Sequence, residues 1–136
     1  MTGFAGETRL RVRYAETDRM GFAYYGVYAA WLEVGRVEYL RARGMVYRDV
    51  EDSGRLLAVR RLEVDYLAPA RYDDQIIVRT RVTAIGKSRV DFESEILREA
   101  DEKLLARGRV RLACLDRKGR PQRLGKELSR VCAPDC

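Results

Sequence analysis

The sequence predicts an α+β domain in which an antiparallel five-stranded sheet wraps around one long helix. Three observations lead to this prediction: an alternating segment near the start, a single long helical pattern after it, and alternation of apolar and polar residues over most of the remainder. A helix and a sheet that are each apolar on one face must bury those faces against each other. The length of 136 residues suits one core. We therefore expect a single domain over residues 1–136, with its core at about 8–116 and a tail at 117–136.

The first strand is predicted at residues 9–15, where Leu10, Val12 and Tyr14 alternate with arginines. The alternation stops over residues 16–25, which indicates a loop. This loop joins the first strand to the helix.

The long helix is predicted at residues 26–43, because apolar side chains recur there at steps of three and four. Gly44 follows as a C-terminal cap. We expect Trp31 and Tyr39 to lie beneath the sheet.

Charges on the helix and a short segment after it give two further expectations. Glu33 and Arg36 stand three residues apart, which predicts an ion pair on the helix. A short amphipathic segment at residues 47–51 then leads through a Ser-Gly pair into the rest of the sheet.

The remaining strands follow one another with short connections. Pro69 ends the first of them, a turn at residues 86–88 separates the next two, and a short terminal helix is predicted at 122–131. The four strands are predicted at residues 57–67, 76–84, 90–96 and 103–116.

Charge patterns on the last two strands predict their register. One register places opposite charges face to face at three positions and sets Phe92 against Val110 on the apolar side. Each exposed pair contributes only about 0.2–1 kcal/mol, so the pairs specify register more than stability. The pairs are Asp91 with Arg111, Glu93 with Arg109, and Glu95 with Arg107.

Composition excludes several kinds of chemistry. The chain has no histidine, which rules out Ser-His-Asp and Cys-His catalysis and hydration that depends on histidine. The three cysteines match no usual zinc-ligand spacing, so we expect no metal and reduced thiols. The chain has no apolar run long enough to span a bilayer and no secretory pattern at its start, so we expect a cytoplasmic protein.

The charge balance favours an anionic partner. The chain has 27 Lys plus Arg against 21 Asp plus Glu, a net charge of +6. Nucleic acid and a phosphorylated carrier such as CoA both fit this balance. Solvated surface charge without a partner is the alternative.

The loop before the helix carries the candidate chemistry. Free backbone N–H groups at the start of a helix can receive the negative charge that develops on a thioester oxygen. Asp18, in a loop that contains Gly21, could activate water or attack directly. An ordinary surface loop has the same composition, and for Glu16 we expect only solvation or a local hydrogen bond.

The segment YAETDRMGFAYYGVYAAWLEVGR, residues 14–36, resembles the opening signature of hotdog-fold acyl-CoA thioesterases of the 4-hydroxybenzoyl-CoA thioesterase type. The stretch DYLAP at residues 65–69 with Asp74, and the Gly-Lys-Ser turn at 86–88, are similar to later features of that family. The resemblance covers roughly residues 8–116. It implies a hotdog domain that hydrolyses an acyl-CoA thioester.

The resemblance also implies roles for individual residues. Asp18 matches the family's catalytic aspartate, acting as nucleophile or general base, and the backbone N–H of Tyr25 matches the group that polarises the carbonyl. Tyr24 and Tyr28 would line the acyl pocket, with core packing as the alternative for Tyr28.

Carrier-binding residues are implied in the same way. Lys87 and Ser88 match residues that contact the CoA phosphates or the pantetheine arm, and Arg89 extends the basic patch. Simple flanking of a turn is the alternative. Val59 and Arg60, on the second strand, are further substrate-binding candidates.

Two other functions are also compatible with the sequence. One is a non-catalytic module of the same fold that binds acyl-CoA or an acyl-carrier protein. The other, a nucleic-acid-binding protein, lacks a recognition motif, so we expect no nucleic-acid or membrane partner. We expect no cofactor besides the CoA of the substrate. The acyl group is expected to be aryl or short-to-medium aliphatic. We also expect a homo-oligomer, and the resemblance favours a tetramer built from dimers over a dimer.

Overall fold

A computed structural model of the chain describes residue 4 and residues 6–134. The elements are β1 (Gly6–Arg11), a 3₁₀ turn (Tyr14–Glu16), α1 (Val27–Ala42), α2 (Tyr47–Asp52), β2 (Leu56–Tyr66), β3 (Gln75–Gly86), β4 (Arg89–Arg98), β5 (Leu104–Leu115) and α3 (Gly125–Val131). The five strands form one antiparallel sheet in the order β1-β3-β4-β5-β2, with the longest helix, α1, against one face. The predicted α+β architecture is confirmed.

Helix α1 lies close to the sheet because a glycine faces β3. A Cβ atom on Gly35 would lie 2.7 Å from both Thr80 Oγ1 and Val78 Cγ1. Trp31 and Tyr39 are buried, as predicted. The helix matches its predicted bounds to within one residue at each end, and Gly44 follows it with φ of +83°.

The predicted register of β4 and β5 is confirmed at every pair. Asp91 lies opposite Arg111, Glu93 opposite Arg109, and Glu95 opposite Arg107. Each pair also forms an ion pair, with N–O distances of 3.0, 3.2 and 3.8 Å respectively. The pair of Glu95 and Arg107 belongs to a row of neighbouring residues that alternates in charge across all five strands. In strand order the row is Glu7, Arg79, Glu95, Arg107 and Asp65.

The predicted extent of the first strand, residues 9–15, is wrong at both ends, because β1 runs from Gly6 to Arg11. β1 ends at Arg11 because its partner β3 begins opposite it, at Gln75. Val12 instead exchanges backbone hydrogen bonds with the loop before β3 and is buried. Tyr14, predicted to face inward, lies in the 3₁₀ turn and is 79% exposed.

The predicted ion pair between Glu33 and Arg36 is absent from the described part of the chain. Arg36 faces the core and is only 9% exposed, whereas Glu33 lies on the solvent side of α1. Burial lowers the pKa of Arg36, and the nearby Tyr47 and Glu33 oppose that effect only through longer-range electrostatics.

The segment after β5 contributes to the core. Its backbone is tied to the sheet because Gln122 N–H donates to Cys114 O and Leu124 N–H donates to Lys87 O, both at 2.9 Å. Helix α3 therefore starts at Gly125 and not at the predicted residue 122. The side chains it buries include Leu124, Leu128, Val131 and Cys132.

Two further features concern membranes and thiols. None of the helices in the described residues has the length and apolar character needed to cross a membrane. Cys114 and Cys132 are buried free thiols, as expected, and Cys136 lies outside the described residues.

Candidate active site

The loop before α1 folds back on itself around a glycine. Asp18 N–H donates to Phe22 O at 2.7 Å, and Gly21 N–H donates to Asp18 O at 3.0 Å. Gly21 has φ of +80°, a conformation that side chains with a Cβ rarely adopt. The result is a tight turn that presents the Asp18 side chain.

Backbone amides fix one oxygen of the Asp18 carboxylate. Oδ1 accepts hydrogen bonds from Met20 N–H at 2.8 Å and from Phe22 N–H at 3.2 Å. Within the described residues, Oδ2 has no hydrogen-bond donor. One oxygen therefore holds the side chain in place while the other is available to a substrate or water.

The loop is anchored on both sides. Ala23 N–H donates to Ala70 O at 2.8 Å, and Tyr24 N–H donates to Glu16 O at 2.7 Å. The Glu16 carboxylate accepts from Arg13 N–H at 2.8 Å and from Trp31 Nε1–H at 3.2 Å. The expectation of a local hydrogen-bonding role for Glu16 is confirmed.

The start of α1 offers open backbone donors next to this loop. Gly26 caps the helix without any side-chain hydrogen bond. Among the described residues, neither the Tyr25 nor the Gly26 amide has a hydrogen-bond acceptor. These N–H groups carry the partial positive charge of a helix N-terminus and can receive a negatively charged oxygen.

Asp18 and the start of α1 share one groove of about 370 Å³. The far wall is the segment after β2, and it is held to the helix start because Tyr66 OH donates to Tyr25 O at 2.8 Å. The walls are mostly apolar or aromatic, with one carboxylate. The lining residues are Asp18, Phe22, Ala23, Tyr25, Tyr28, Tyr66, Leu67, Ala68 and Pro69.

Tyr28 is buried in the core and also lines the groove. It is 3% exposed, its ring centroid lies 4.7 Å from that of Trp31, and burial raises its pKa. Its hydroxyl accepts a hydrogen bond from Ala70 N–H at 3.3 Å. Tyr28 therefore packs in the core and also forms the floor of the groove.

Tyr24 lies outside the lining of the groove. Its side chain is half exposed and stacks on Tyr25, with ring centroids 4.6 Å apart. A hydrogen bond with the Tyr25 side chain raises the pKa of Tyr24. Tyr24 therefore contacts Tyr25, which lines the groove, but does not line the groove itself.

Comparison with known proteins identifies the family. A model of the thioesterase-like superfamily matches residues 12–133. The chain belongs to this superfamily. The resemblance of residues 14–36 to hotdog-fold thioesterases is thereby confirmed at the level of the family.

Three relatives illustrate the similarity of this superfamily member. It is 33% identical over 90% of its length to a chloroplastic acyl-acyl carrier protein thioesterase, ATL2, of Arabidopsis thaliana. It is 32% identical over 88% of its length to the acyl-CoA thioester hydrolase YbgC of Escherichia coli, of which the match covers 89%. A DHNA-CoA thioesterase structure from Staphylococcus aureus superposes with a TM-score of 0.84 at 35% identity, covering 88% of this chain and 80% of that one.

Coverage of the relatives varies. The match spans 66% of ATL2, and for two other curated relatives it spans 51% and 62% of their length.

The carrier-binding candidates of this superfamily member lie far from its own Asp18. Lys87 and Ser88 form the turn after β3, whereas the loop of Asp18 packs against the segment before β3. β3 has 12 residues, which at about 3.3 Å per residue separate its two ends by roughly 36 Å. One copy of the chain therefore does not bring these groups together with Asp18.

Arg89, Val59 and Arg60 are also outside the groove. The Arg89 guanidinium lies 3.7 Å from the Asp91 carboxylate. Val59 and Arg60 are exposed on β2, at the edge of the sheet, where the pairing with β5 is irregular. Of the predicted site residues, the structure brings together Asp18, Tyr25 and Tyr28 only.

The end of β2 and the segment after it contribute wall residues that the sequence analysis did not assign to the site. Tyr66, Leu67 and Pro69 line the groove, although they were noted only as part of a family-like stretch. The available signal was the resemblance of residues 65–69 to the family, because the residue pattern alone does not place this stretch beside the Asp18 loop.

The arginines on the outer face of the sheet do not form a free basic stripe. Arg107, Arg109 and Arg111 each lie beside a carboxylate of β4. This pairing weakens the case for nucleic-acid binding that rests on the arginines of the last strand, whereas the net charge of +6 is unaffected by it.

Proposed function

We propose that this protein hydrolyses the thioester bond of an acyl-CoA, with Asp18 as the catalytic carboxylate. The observation that carries the proposal is the groove that Asp18 and Tyr25 both line, next to the start of α1, where the Tyr25 and Gly26 amides have no acceptor among the described residues. A thioester carbonyl placed there would have a carboxylate on one side and N–H donors on the other.

Two routes fit this geometry. As a general base, Asp18 takes a proton from water, the water oxygen bonds to the carbonyl carbon, and the C–S bond breaks as the sulfur takes the proton. As a nucleophile, Asp18 bonds to the carbonyl carbon, the thiolate leaves, and water then hydrolyses the resulting anhydride. In both routes the amide of Tyr25 stabilises the negative charge on the carbonyl oxygen.

The relatives support the substrate class. YbgC of E. coli is named an acyl-CoA thioester hydrolase, and the S. aureus protein is named a DHNA-CoA thioesterase. The groove walls suit either an aromatic or an aliphatic acyl group, because Phe22, Tyr28 and Leu67 offer both flat and branched apolar surfaces.

We further propose that the working form is a homo-oligomer. The distance along β3 requires a second copy if Lys87, Ser88 and Arg89 are to contact the carrier of a substrate held at Asp18. The edge strand β2 also exposes apolar side chains, which a second sheet could cover: Val59, Leu62 and Tyr66. The tetrameric state and the cytoplasmic location stay predictions.

Thiol release from a panel of aliphatic and aromatic acyl-CoAs tests the proposed activity. We expect turnover of at least one member and a ranking that identifies the acyl class. Binding of acyl-CoA without turnover of any member would contradict hydrolysis and favour the non-catalytic binding module. Light scattering on the same preparation measures the oligomeric state independently.

A further inference from the structure

A second groove, of about 610 Å³, lies at the end of the sheet away from Asp18, between the β3–β4 turn and α3. Its lining includes three cations, and none of its lining residues is a carboxylate. Two of these cations, Arg123 and Lys126, come from the C-terminal segment after β5. The lining residues are Ile85, Gly86, Lys87, Arg123, Leu124, Gly125, Lys126 and Ser129.

The three cations are available to a ligand. Within the described residues, the side chains of Lys87, Arg123 and Lys126 form no ion pair and no hydrogen bond. The nearest acidic residue along the chain, Glu127, is paired with Arg130 at 2.9 Å. Repulsion among three unpaired like charges is relieved when an anion binds between them.

The backbone holds these cations in a fixed arrangement. Leu124, between Arg123 and Lys126, is 2% exposed, and its N–H donates to Lys87 O at 2.9 Å. The Arg55 Nε–H donates to Arg123 O at 3.1 Å, which ties the segment to the start of β2 as well. The C-terminal segment therefore cannot shift without breaking contacts to the sheet.

We propose that Arg123 and Lys126, together with Lys87, bind the phosphate groups of the CoA carrier and thereby make the enzyme selective for CoA thioesters. This inference rests on the proposed function. Because the groove lies roughly 36 Å along β3 from the end occupied by the Asp18 loop, the phosphates bound there belong to a substrate whose thioester lies at Asp18 of a neighbouring copy.

The first test compares two substrates that carry the same acyl group. One is the acyl-CoA, and the other is the N-acetylcysteamine thioester, which has no phosphate. For the double variant R123Q/K126Q we expect the KM for the acyl-CoA to rise roughly tenfold or more, with kcat nearly unchanged. The KM for the N-acetylcysteamine thioester should change less than twofold.

A charge-matched control is the double variant R48Q/K118Q. Arg48 and Lys118 are exposed cations outside both grooves, so this variant loses the same charge without the proposed contacts. We expect wild-type kinetics from it. An unchanged KM for acyl-CoA in R123Q/K126Q, or an equal loss on both thioesters, would overturn the proposal while leaving hydrolysis established.

The second test mixes defective copies. In hybrids co-expressed from Asp18→Asn and R123Q/K126Q chains, some sites combine an intact Asp18 with an intact basic groove from the neighbour. We expect a component with the wild-type KM, which neither parent shows. If hybrids show only the raised KM, the groove does not serve a neighbouring copy.

Calorimetry keeps the inference testable even if the wild type releases no thiol. Titration of CoA into the wild type and into R123Q/K126Q should show roughly tenfold weaker binding to the variant. Equal affinities would contradict the phosphate site, whereas weaker binding without any turnover would contradict only the proposed hydrolysis.

Discussion

The indole Nε1–H of Trp31 donates a hydrogen bond to Oε2 of Glu16 at 3.2 Å, which joins the N-terminal part of α1 to the loop that carries Asp18. The other oxygen of the same carboxylate accepts from Arg13 N–H at 2.8 Å. The backbone oxygen of Glu16 accepts from Tyr24 N–H at 2.7 Å. One residue thus fixes both ends of the Asp18 loop relative to the helix.

Replacement of Glu16 should lower both the stability of the protein and its activity, because the Asp18 loop loses an anchor. In Glu16→Ala, Trp31 and the Arg13 amide lose their acceptors, and we expect the free energy of unfolding to fall by about 1–3 kcal/mol. Urea unfolding followed by the fluorescence of Trp31, the single tryptophan, measures it. Glu16→Gln, which keeps one acceptor oxygen, should lose less. Equal stability of Glu16→Ala and wild type would contradict this role.

Gly35 should resist replacement by the better helix former alanine. A Cβ atom there would lie 2.7 Å from both Val78 Cγ1 and Thr80 Oγ1, and both of these side chains are branched and stiff. Overpacking costs about 1–3 kcal/mol and outweighs a gain in helix propensity of about 1 kcal/mol. We expect Gly35→Ala to lower the melting temperature. An increase would show that α1 can move away from β3 at little cost.

The ion pairs of Glu93 with Arg81 and Arg109 predict a pH dependence of stability. Partial burial raises the pKa of Glu93. Hydrogen bonds from Arg81 and Arg109 together lower this pKa by more than burial raises it, so the pKa lies below the ordinary value of 4.5. A carboxylate with a lowered pKa contributes its stability fully above its ordinary pKa, and loses it as the pH falls through the folded-state pKa.

We therefore expect the wild type to lose about 0.5–1 kcal/mol more than Glu93→Gln between about pH 5 and pH 3. Denaturant unfolding at several pH values measures this difference. Glu51→Gln, an exposed position on α2, provides the control and should follow the wild type. Parallel pH profiles for wild type and Glu93→Gln would rule out the lowered pKa.

The thiols of Cys114 and Cys132 should not react with thiol reagents in the folded protein. Burial raises the pKa of Cys132 to about 11, and it also raises the pKa of Cys114. In a Cys136→Ser background, we expect a thiol reagent at pH 8 to label neither residue in buffer and both in denaturant. Rapid labelling in buffer would show that the C-terminal segment opens readily from the core.

Much of the fold could be predicted because independent patterns agreed. The charges of Glu93 and Arg109 and the apolar pair Phe92 and Val110 demand the same register, and the structure has it. The bounds of α1 followed from spacing and from Gly44. The errors at Tyr14 and Arg36 have a common cause, since each depends on where a distant segment packs.

The site could be predicted only in part, for a similar reason. Asp18, Tyr25 and Tyr28 are close in sequence and meet in one groove. Lys87 was predicted for the same site, but it lies at the far end of β3, and the residue pattern contains no information on how several copies assemble. Arg123 has the local sequence of an ordinary surface charge, and only the folded chain brings it next to Lys87.

Turnover by Asp18→Asn is the most direct test of the central claim. Asn retains an oxygen that can accept from Met20 and Phe22, so the loop should keep its shape while the carboxylate is lost. We predict that kcat for the best acyl-CoA falls by a factor of about 10²–10⁴, whereas the affinity for that acyl-CoA, measured by calorimetry, changes little. A variant that retains wild-type turnover would contradict the assignment of Asp18 as the catalytic carboxylate.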